Sequence, residues 1–487
     1  MVNSATKKLE KEFIEIIDLP KEDMSWSSVS LSEVLGKGKR FEASVFDLEC
    51  KHARNIVENS IYGSSEINID RDLIECYTRS RFKRIWLEKS EYPIYQPTSM
   101  LDVYPKSDGY ISKLTNTNIE ALKVSLGQIL ITCSGTIGNI SFVSETLNGK
   151  IFSHDLLRVK FKKEYDNGFF YTFLKTYVGK QILKSNKYGS VISHIEAEHM
   201  NEVLVPLAPL NLKKKIHGLI IQSYANRDES NRLIDEATKI MIEELELPPI
   251  DDLKKEAFSY SKEINSFSTK LSDLDGRLEG SYHIPLIEVI ERYINKKAIV
   301  KKLNSEDITE KIILPGRFKR VYVEKGNGKV FLGGKEINQL DPSGKKFLSI
   351  KHYSDKLIRD IAIEKNDVLV TRSGTVGRVM IAPEHWQNWI SSDHVIRISS
   401  KESYHGLIFT WLASEYGKEL MKRQIYGSVV DEITDKQLGD VVVPIFKEDI
   451  INNSILNLIN KANELRYQAY RQEQKAIEIM NVEVLGL

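Results

Sequence analysis

Residues 129–138 read Ile-Leu-Ile-Thr-Cys-Ser-Gly-Thr-Ile-Gly, and residues 368–377 read Val-Leu-Val-Thr-Arg-Ser-Gly-Thr-Val-Gly. Each is a short apolar run closed by a turn with two glycines three apart, the pattern of a buried strand ending in a tight loop. Outward from this pair the chain keeps repeating itself. Upstream, Arg81-Phe82-Lys83-Arg84 returns as Arg317-Phe318-Lys319-Arg320. Downstream, Tyr188-Gly189-Ser190-Val191 returns as Tyr426-Gly427-Ser428-Val429, and Val205-Pro206 as Val443-Pro444. The offset drifts only between 236 (317 − 81) and 239 (373 − 134). Residues 40–206 are therefore written again as residues 277–444, two copies of one fold. Within each copy a second strand, Leu156-Leu157-Arg158-Val159 or Val395-Ile396-Arg397-Ile398, precedes a helical pattern, Phe169 to Leu183 or Leu407 to Met421. Each copy is mixed α and β.

A long helical stretch follows each copy. Residues 210–246 contain no proline and one glycine, Gly218, with apolar residues at Ile216, Leu219, Ile220, Leu233, Ala237, Ile240, Met241 and Leu245 around a polar middle, Asn226 to Asn231. In the second stretch Ile451, Ile455, Leu458, Ala462, Leu465, Ala469, Gln472, Ala476 and Ile479 step by 4 and 3 throughout, a heptad seam with one polar position. One seam is unsatisfied alone and needs another helix. Pairing the two stretches antiparallel makes a rod of roughly 55 Å with a globular copy at each end; the plainer alternative packs each helix on its own copy. The expected fold class is α+β: two tandem homologous mixed α/β domains separated by long helices that pair as an antiparallel coiled coil. The expected boundaries are an N-terminal helical extension at 1–25 (with Phe13, Ile14, Ile16 and Ile17 grouped), a first domain at 26–208, a central spacer helix at 209–249, a linker at 250–270, a second domain at 271–446 and a C-terminal spacer helix at 447–487.

At 487 residues, 41% hydrophobic and 28% charged, the chain has ordinary globular composition and room for about three domains. No apolar run is long enough for a membrane span, and residues 1–11 lack the apolar core of a secretion signal. Cys50, Cys76 and Cys133 stand far apart with no CxxC pair, which excludes a disulfide scaffold or a zinc finger and fits a reducing, cytoplasmic setting. No phosphate-binding Walker A, complete dinucleotide fingerprint, HExxH or GxSxG is present, so no catalytic, cofactor-binding or metal-ligating residue is expected and the chain reads as non-enzymatic. His154-Asp155 faces Asp393-His394 in the other copy, but the reversed order argues against a catalytic pair of fixed geometry.

The repeated motifs suit nucleic acid. Glycine lets backbone approach closely, so Ser134 and Thr136, with Ser373 and Thr375, are candidates to meet phosphate oxygens, unless the loops are plain tight turns. Arg372 and Arg378 flank the second loop where the first has Cys133 and Asn139, a difference suited to reading different sequences. Arg81, Lys83 and Arg84, and Arg317, Lys319 and Arg320, are basic clusters with interleaved aromatics; read as strands, neither face is cleanly apolar. Tyr188-Gly189-Ser190 and its twin read as helix C-caps, with Lys184, Lys187, Lys422 and Arg423 beside them. The formal net charge of only +1 requires any positive field to be local.

The glycine-loop decapeptide, then Tyr-Gly-Ser-Val, then Val-Leu-Val-Pro-Leu-Ala-Pro-Leu (203–210) running into a long helix, with the pattern returning in the second copy, resembles the specificity subunit of Type I restriction–modification systems. The resemblance covers nearly the whole chain. It implies that each copy reads one half of a bipartite site on double-stranded DNA and that the helices set the gap. It also implies that DNA methyltransferase subunits dock on the helices, through residues such as Ile455, Leu458, Leu465 and Ile479. S-adenosylmethionine chemistry, and ATP and Mg used by ATP-dependent restriction subunits, then belong to partners. The family's Pro-Pro-Leu followed by Glu-Gln appears here as Ala208-Pro209-Leu210 and Asn211-Leu212, and in the second copy as Ile445-Phe446-Lys447-Glu448, a departure that weakens the carry-over of partner contacts at the helix starts and points to a divergent branch or a different type of restriction system. A two-module protein-binding scaffold that never touches DNA is the alternative reading.

Overall fold

The computed structural model describes residues 28–36, 46–185, 194–261, 264–274, 276–351, 353–427 and 430–487. The helix expected over 1–25, Lys187, and the Tyr188-Gly189-Ser190-Val191 stretch lie outside the described residues.

The first repeat runs α1 (Leu48–Glu58), β1 (Leu73–Tyr77), β2 (Trp86–Leu87), β3 (Pro93–Tyr95), β4 (Gly109–Ile111), β5 (Ile129–Thr132), β6 (Ile140–Phe142), β7 (Ile151–Phe152), β8 (Leu156–Phe161), α2 (Glu164–Lys175) and α3 (Tyr177–Ser185). Its strands form two four-stranded sheets, in the orders β1-β8-β5-β6 and β2-β4-β3-β7. After the long helix α4 (Leu210–Glu244), the second repeat runs α5 (Leu286–Lys297), β9 (Thr309–Ile313), β10 (Tyr322–Val323), β11 (Lys329–Leu332), β12 (Lys346–Leu348), β13 (Val368–Thr371), β14 (Val379–Ile381), β15 (Ile390–Ser391), β16 (Val395–Ser400), α6 (His405–Ala413) and α7 (Glu415–Arg423), and the chain closes with α8 (Asp449–Ile479). Its sheets, β9-β16-β13-β14 and β10-β12-β11-β15, match the first repeat strand for strand. The two apolar runs are β5 and β13, fully buried because they have core on both faces. Ile129 and Ile131 point into the core with α2 and α3, while Leu130 points into a second core with Tyr95 and Phe152.

Each helical pattern after the sheet is two helices, not one. Thr176 ends α2 by donating to Phe173 O (2.6 Å) and caps α3 by accepting from Gly179 N (3.0 Å). Ser414 does the same between α6 and α7, at 2.6 Å to Trp411 O and 3.1 Å from Gly417 N. The bend brings backbone so close that a Cβ on Gly179 would stand 2.1 Å from Phe173 O, and one on Gly417 2.1 Å from Trp411 O. Gly417→Ala is therefore expected to cost about 1–3 kcal/mol or more by overpacking. Gly218→Ala, in α4 with nothing within 4 Å of a Cβ, is expected to add about 0.5–1 kcal/mol. Urea midpoints of the two variants check this; a neutral Gly417→Ala would refute the tight bend. The Tyr426-Gly427 motif is not the helix cap expected from sequence. Helix α7 closes at Arg423 with Gln424 in right-handed geometry. Gly427 (φ +115) instead turns the chain so that Tyr426 bridges Glu432.

The long helices pair antiparallel. Lys215 near the start of α4 meets Glu483 beyond the end of α8 at 3.3 Å, and Arg227 meets Glu473 midway at 2.5 Å. At the far end Met241 shares a core with Ile455 and Ile459. Both packing alternatives hold at once. Helix α4 buries Leu212, Ile216 and Ile220 in the first repeat and Leu233, Ala237 and Met241 in the second. Helix α8 buries Ile455, Ile459 and Ala462 in the second and Ala476 and Ile479 in the first, where Met480 just beyond its end joins them. This corrects one expectation. Ile455, Leu465 and Ile479 are buried inside the chain, and Leu458 is packed against the same core, so these side chains do not form a surface for an outside partner. Burial of such a side chain is worth about 1.5–3 kcal/mol, which the two repeats already use.

The polar middle of α4 also has a physical account. Asp228 accepts from Ser144 Oγ (2.8 Å), Glu145 N (3.1 Å) and Thr146 N (3.1 Å), and Asn231 donates to Val103 O (2.7 Å). These bonds hold first-repeat loops against the rod, where they reach the second repeat: Val103 N donates to Asn338 O at 2.8 Å. The repeats thus touch midway along the helices as well as capping their ends.

Candidate nucleic-acid interface

The glycine loops leave β5 and β13 in one conformation. Thr132 Oγ1 donates to Thr136 O (2.5 Å) and accepts from Asn139 N (3.0 Å). Thr371 Oγ1 makes the same bonds to Thr375 O (2.5 Å) and from Arg378 N (3.0 Å). Gly135 and Gly374 sit at φ +69 and +72 with open space where a Cβ would be, so positive φ and not crowding selects glycine at the apex. Thr136 and Thr375 are exposed there, while Ser134 and Ser373 are half-buried.

The basic clusters are not strands. Residues 78–85 and 314–321 are extended loops joining the two sheets, and regular pairing begins only at Trp86 and Tyr322. The alternation survives because aromatics pin the loops: Phe82 packs edge-on to His154 (5.9 Å) and Phe318 to Tyr353 (5.7 Å). Arg81, Lys83, Arg317 and Lys319 point to solvent; Arg84 and Arg320 are half-buried.

In the first repeat Arg81, Arg84, Ser134, His154 and Asp155 line one cleft of about 1470 Å³, so basic loop and glycine loop converge. The second repeat converges likewise but spends its charge internally. Arg320 pairs with Asp393, Ser373 Oγ lies 2.6 Å from His394 Nδ1, and Arg372 binds Glu432 at 2.6 Å. The reversed His–Asp order now has a meaning. His154 occupies the position of Asp393, so Arg84 faces an imidazole where Arg320 faces a carboxylate. Burial first, and then the charges of Arg84 and Arg81, hold the His154 imidazolium below the ordinary histidine range despite Asp155 at 3.3 Å. The pair sets local charge; its geometry differs between the repeats.

Both glycine loops open on a further cleft, about 2230 Å³, between the repeats. Thr136 and Lys180 line it from one side, Ser373, Thr375 and Arg378 from the other. Sequence reasoning named Lys184, which lines it, but missed Lys180 and Lys335, whose role depends on the fold of the repeat boundary. Lys422 and Arg423 are taken up locally, by Glu419 (2.7 Å) and Tyr282 O (3.0 Å). Among the described residues no group of His, Cys, Asp and Glu could hold a metal, and no helix is long and apolar enough to cross a membrane.

A family model described as the Type I restriction modification DNA specificity domain matches residues 71–238 and again 286–465. Among solved structures, the chain is similar to the S subunit of a Type-I restriction-modification system from M. genitalium, at 14% identity and TM-score 0.32, covering 88% of this chain and 96% of that one. It is also similar to the HsdS subunit from Thermoanaerobacter tengcongensis, at 14% identity and TM-score 0.26, covering 87% and 97%. No curated protein sequence matches.

Proposed function

Because the chain belongs to the family of Type I restriction modification DNA specificity domains and carries that domain twice, we propose that each repeat reads one half of a bipartite DNA site. In this reading the paired helices fix the distance between the halves. DNA methyltransferase subunits dock on the outward faces of α4 and α8, since the seam itself is filled. Methylation with S-adenosylmethionine, and ATP-driven restriction with Mg, are the work of those partners in the cytoplasm. The chain itself contributes recognition.

One observation carries the proposal. The same pairing of a basic loop with a threonine-pinned glycine loop is built twice, and both glycine loops open on a common cleft. Phosphate contacts position a protein on a duplex while base contacts specify sequence, so exposed Arg81, Lys83, Arg317 and Lys319 suit the first task. The half-buried arginines and the loops suit the second. Sequencing the methylated motifs of a host that expresses the chain with its methyltransferase should give a two-part motif with an unspecified gap. A single continuous motif would overturn the reading, and a complex that binds protein partners but shows no salt-dependent DNA shift would favour the scaffold alternative.

A further inference from the structure

Each repeat has a cleft between its basic loop and its glycine loop, and matched positions in the two clefts carry different charge. In the second repeat two guanidiniums are met by carboxylates of the same cleft, Arg320 by Asp393 and Arg372 by Glu432 at 2.6 Å. The first repeat lacks both carboxylates. His154 stands where the second has Asp393, and His194 where it has Glu432. Cys133 takes the place of Arg372, so one cation disappears with its partner. The other cation stays, as Arg84.

Arg84 is therefore a guanidinium without a counter-charge. Among the described residues it has no hydrogen bond or ion pair, and its Nε is buried without a partner. Of the carboxylates lining the cleft, Asp155 is bonded to His154 at 3.3 Å and Glu196 is exposed. What holds Arg84 is aromatic: its Cζ lies 5.7 Å from the centre of the Phe82 ring and 5.9 Å from that of Trp86. Both rings are themselves fixed. Phe82 packs against a core with Ile94 and Ile111, and Trp86 lies over Gly109, where a Cβ would stand 3.0 Å from Cζ3. The planar fork is thus oriented by packing, while the residue lines the cleft with its terminal donors unused. Arg81 and Lys83 on the same loop differ, being exposed and without a ring contact among the described residues.

We propose that Arg84 is a base-reading residue of the first repeat and that its target is guanine, contacted at O6 and N7 in the major groove. The proposal rests on the bipartite DNA reading above and names one specificity-determining residue within it. A held two-donor fork matches the pair of acceptors that guanine alone presents on that edge. A wrong base leaves the desolvated fork unpaired, which is what makes such a contact selective. Arg320 occupies the matching position with Asp393 already on its fork, so the second repeat presents a donor and an acceptor together and reads its half-site through different contacts.

The test uses the complex with its methyltransferase, as wild type, Arg84→Ala, Arg84→Lys and His154→Asp, with Tm measured for each. Binding is compared between a duplex carrying the methylated motif and duplexes in which each G·C pair of either half is replaced in turn by A·T. At one G·C pair of one half-site the wild type should prefer guanine by about tenfold or more. Arg84→Ala and Arg84→Lys should both abolish the preference at that pair alone, because lysine keeps the charge but not the planar fork. His154→Asp, which supplies the carboxylate of the second repeat, should relax the same pair, and Arg320→Ala should leave it intact. Arg84→Lys carries the comparison should Arg84→Ala fail to fold. A uniform loss across all duplexes that Arg84→Lys restores would make Arg84 a phosphate contact and overturn the proposal, as would unchanged discrimination in both Arg84 variants. In either case the wild type still reads its two-part motif; a wild-type complex without salt-dependent DNA binding would instead bring down the DNA reading itself.

Discussion

Replacing Glu473 by Ala is expected to lower the free energy of unfolding by about 3–5 kcal/mol, the cost of leaving buried charges without their partner. Glu473 is 1% exposed on α8 yet reaches into the first repeat. It accepts from Tyr171 OH on α2 at 2.5 Å and Arg227 on α4 at 2.5 Å, and pairs with Lys175 at 3.2 Å. Burial alone would raise its carboxyl, but the Lys175 and Arg227 charges outweigh it and hold the group far below the usual carboxylate range. A depressed carboxyl stabilises the fold fully above the ordinary carboxylate pKa and loses that contribution as pH falls through the folded value. The difference between wild type and variant should therefore be constant from neutral pH down to the ordinary carboxylate range and narrow progressively as pH falls below it toward the folded value. Urea unfolding across that range measures it. Replacing Glu473, Lys175 and Arg227 together by Leu, Met and Met should recover most of the loss, because an apolar core of similar volume needs no charge balance. A loss under 1 kcal/mol for Glu473→Ala would show that the triad does not anchor the helix.

Arg317→Ala with Lys319→Ala is expected to weaken DNA binding roughly tenfold or more and to flatten the salt slope by about 2, without changing the unfolding midpoint. Both side chains are exposed on a loop that aromatics hold in place. Arg320→Ala should behave differently. It strips the guanidinium from Asp393 and leaves a carboxylate near the glycine loop, repelling phosphate as well as removing a donor. Adding Asp393→Asn should restore part of the affinity lost by Arg320→Ala. Filter binding or anisotropy over a salt series distinguishes the two loop faces. An unchanged slope in the Arg317/Lys319 variant would remove this loop from the interface.

Much of the architecture is legible in the sequence because it rests on periodicity. The duplicated apolar runs become β5 and β13, and the heptad steps from Ile455 to Ile479 become a filled seam. What escapes is set by contacts distant along the chain. Thr176 and Ser414 look like helix interior, but their hydroxyls end one helix and start the next. The basic clusters keep a strand's alternation without a strand's partners. Asn226 to Asn231 read as an unexplained polar break, since their acceptors and donors come from loops of the first repeat and from α8. The helix ends also repeat: Ala237, Ile240 and Met241 return as Ala476, Ile479 and Met480. For the candidate site, side-chain identities were readable, whereas the sharing of one cleft by both glycine loops depends on how the repeats meet.

Since α4 and α8 each have one end anchored in each repeat, the two modules are not beads on a tether. On the proposed bipartite reading, once one has engaged its half-site the other is already presented at fixed range and orientation, so the second docking step forfeits little rotational freedom and gains a high local concentration. Tolerance to a misplaced second target is then governed by the bending stiffness of a two-helix brace, and discrimination in distance should be as sharp as discrimination in chemistry.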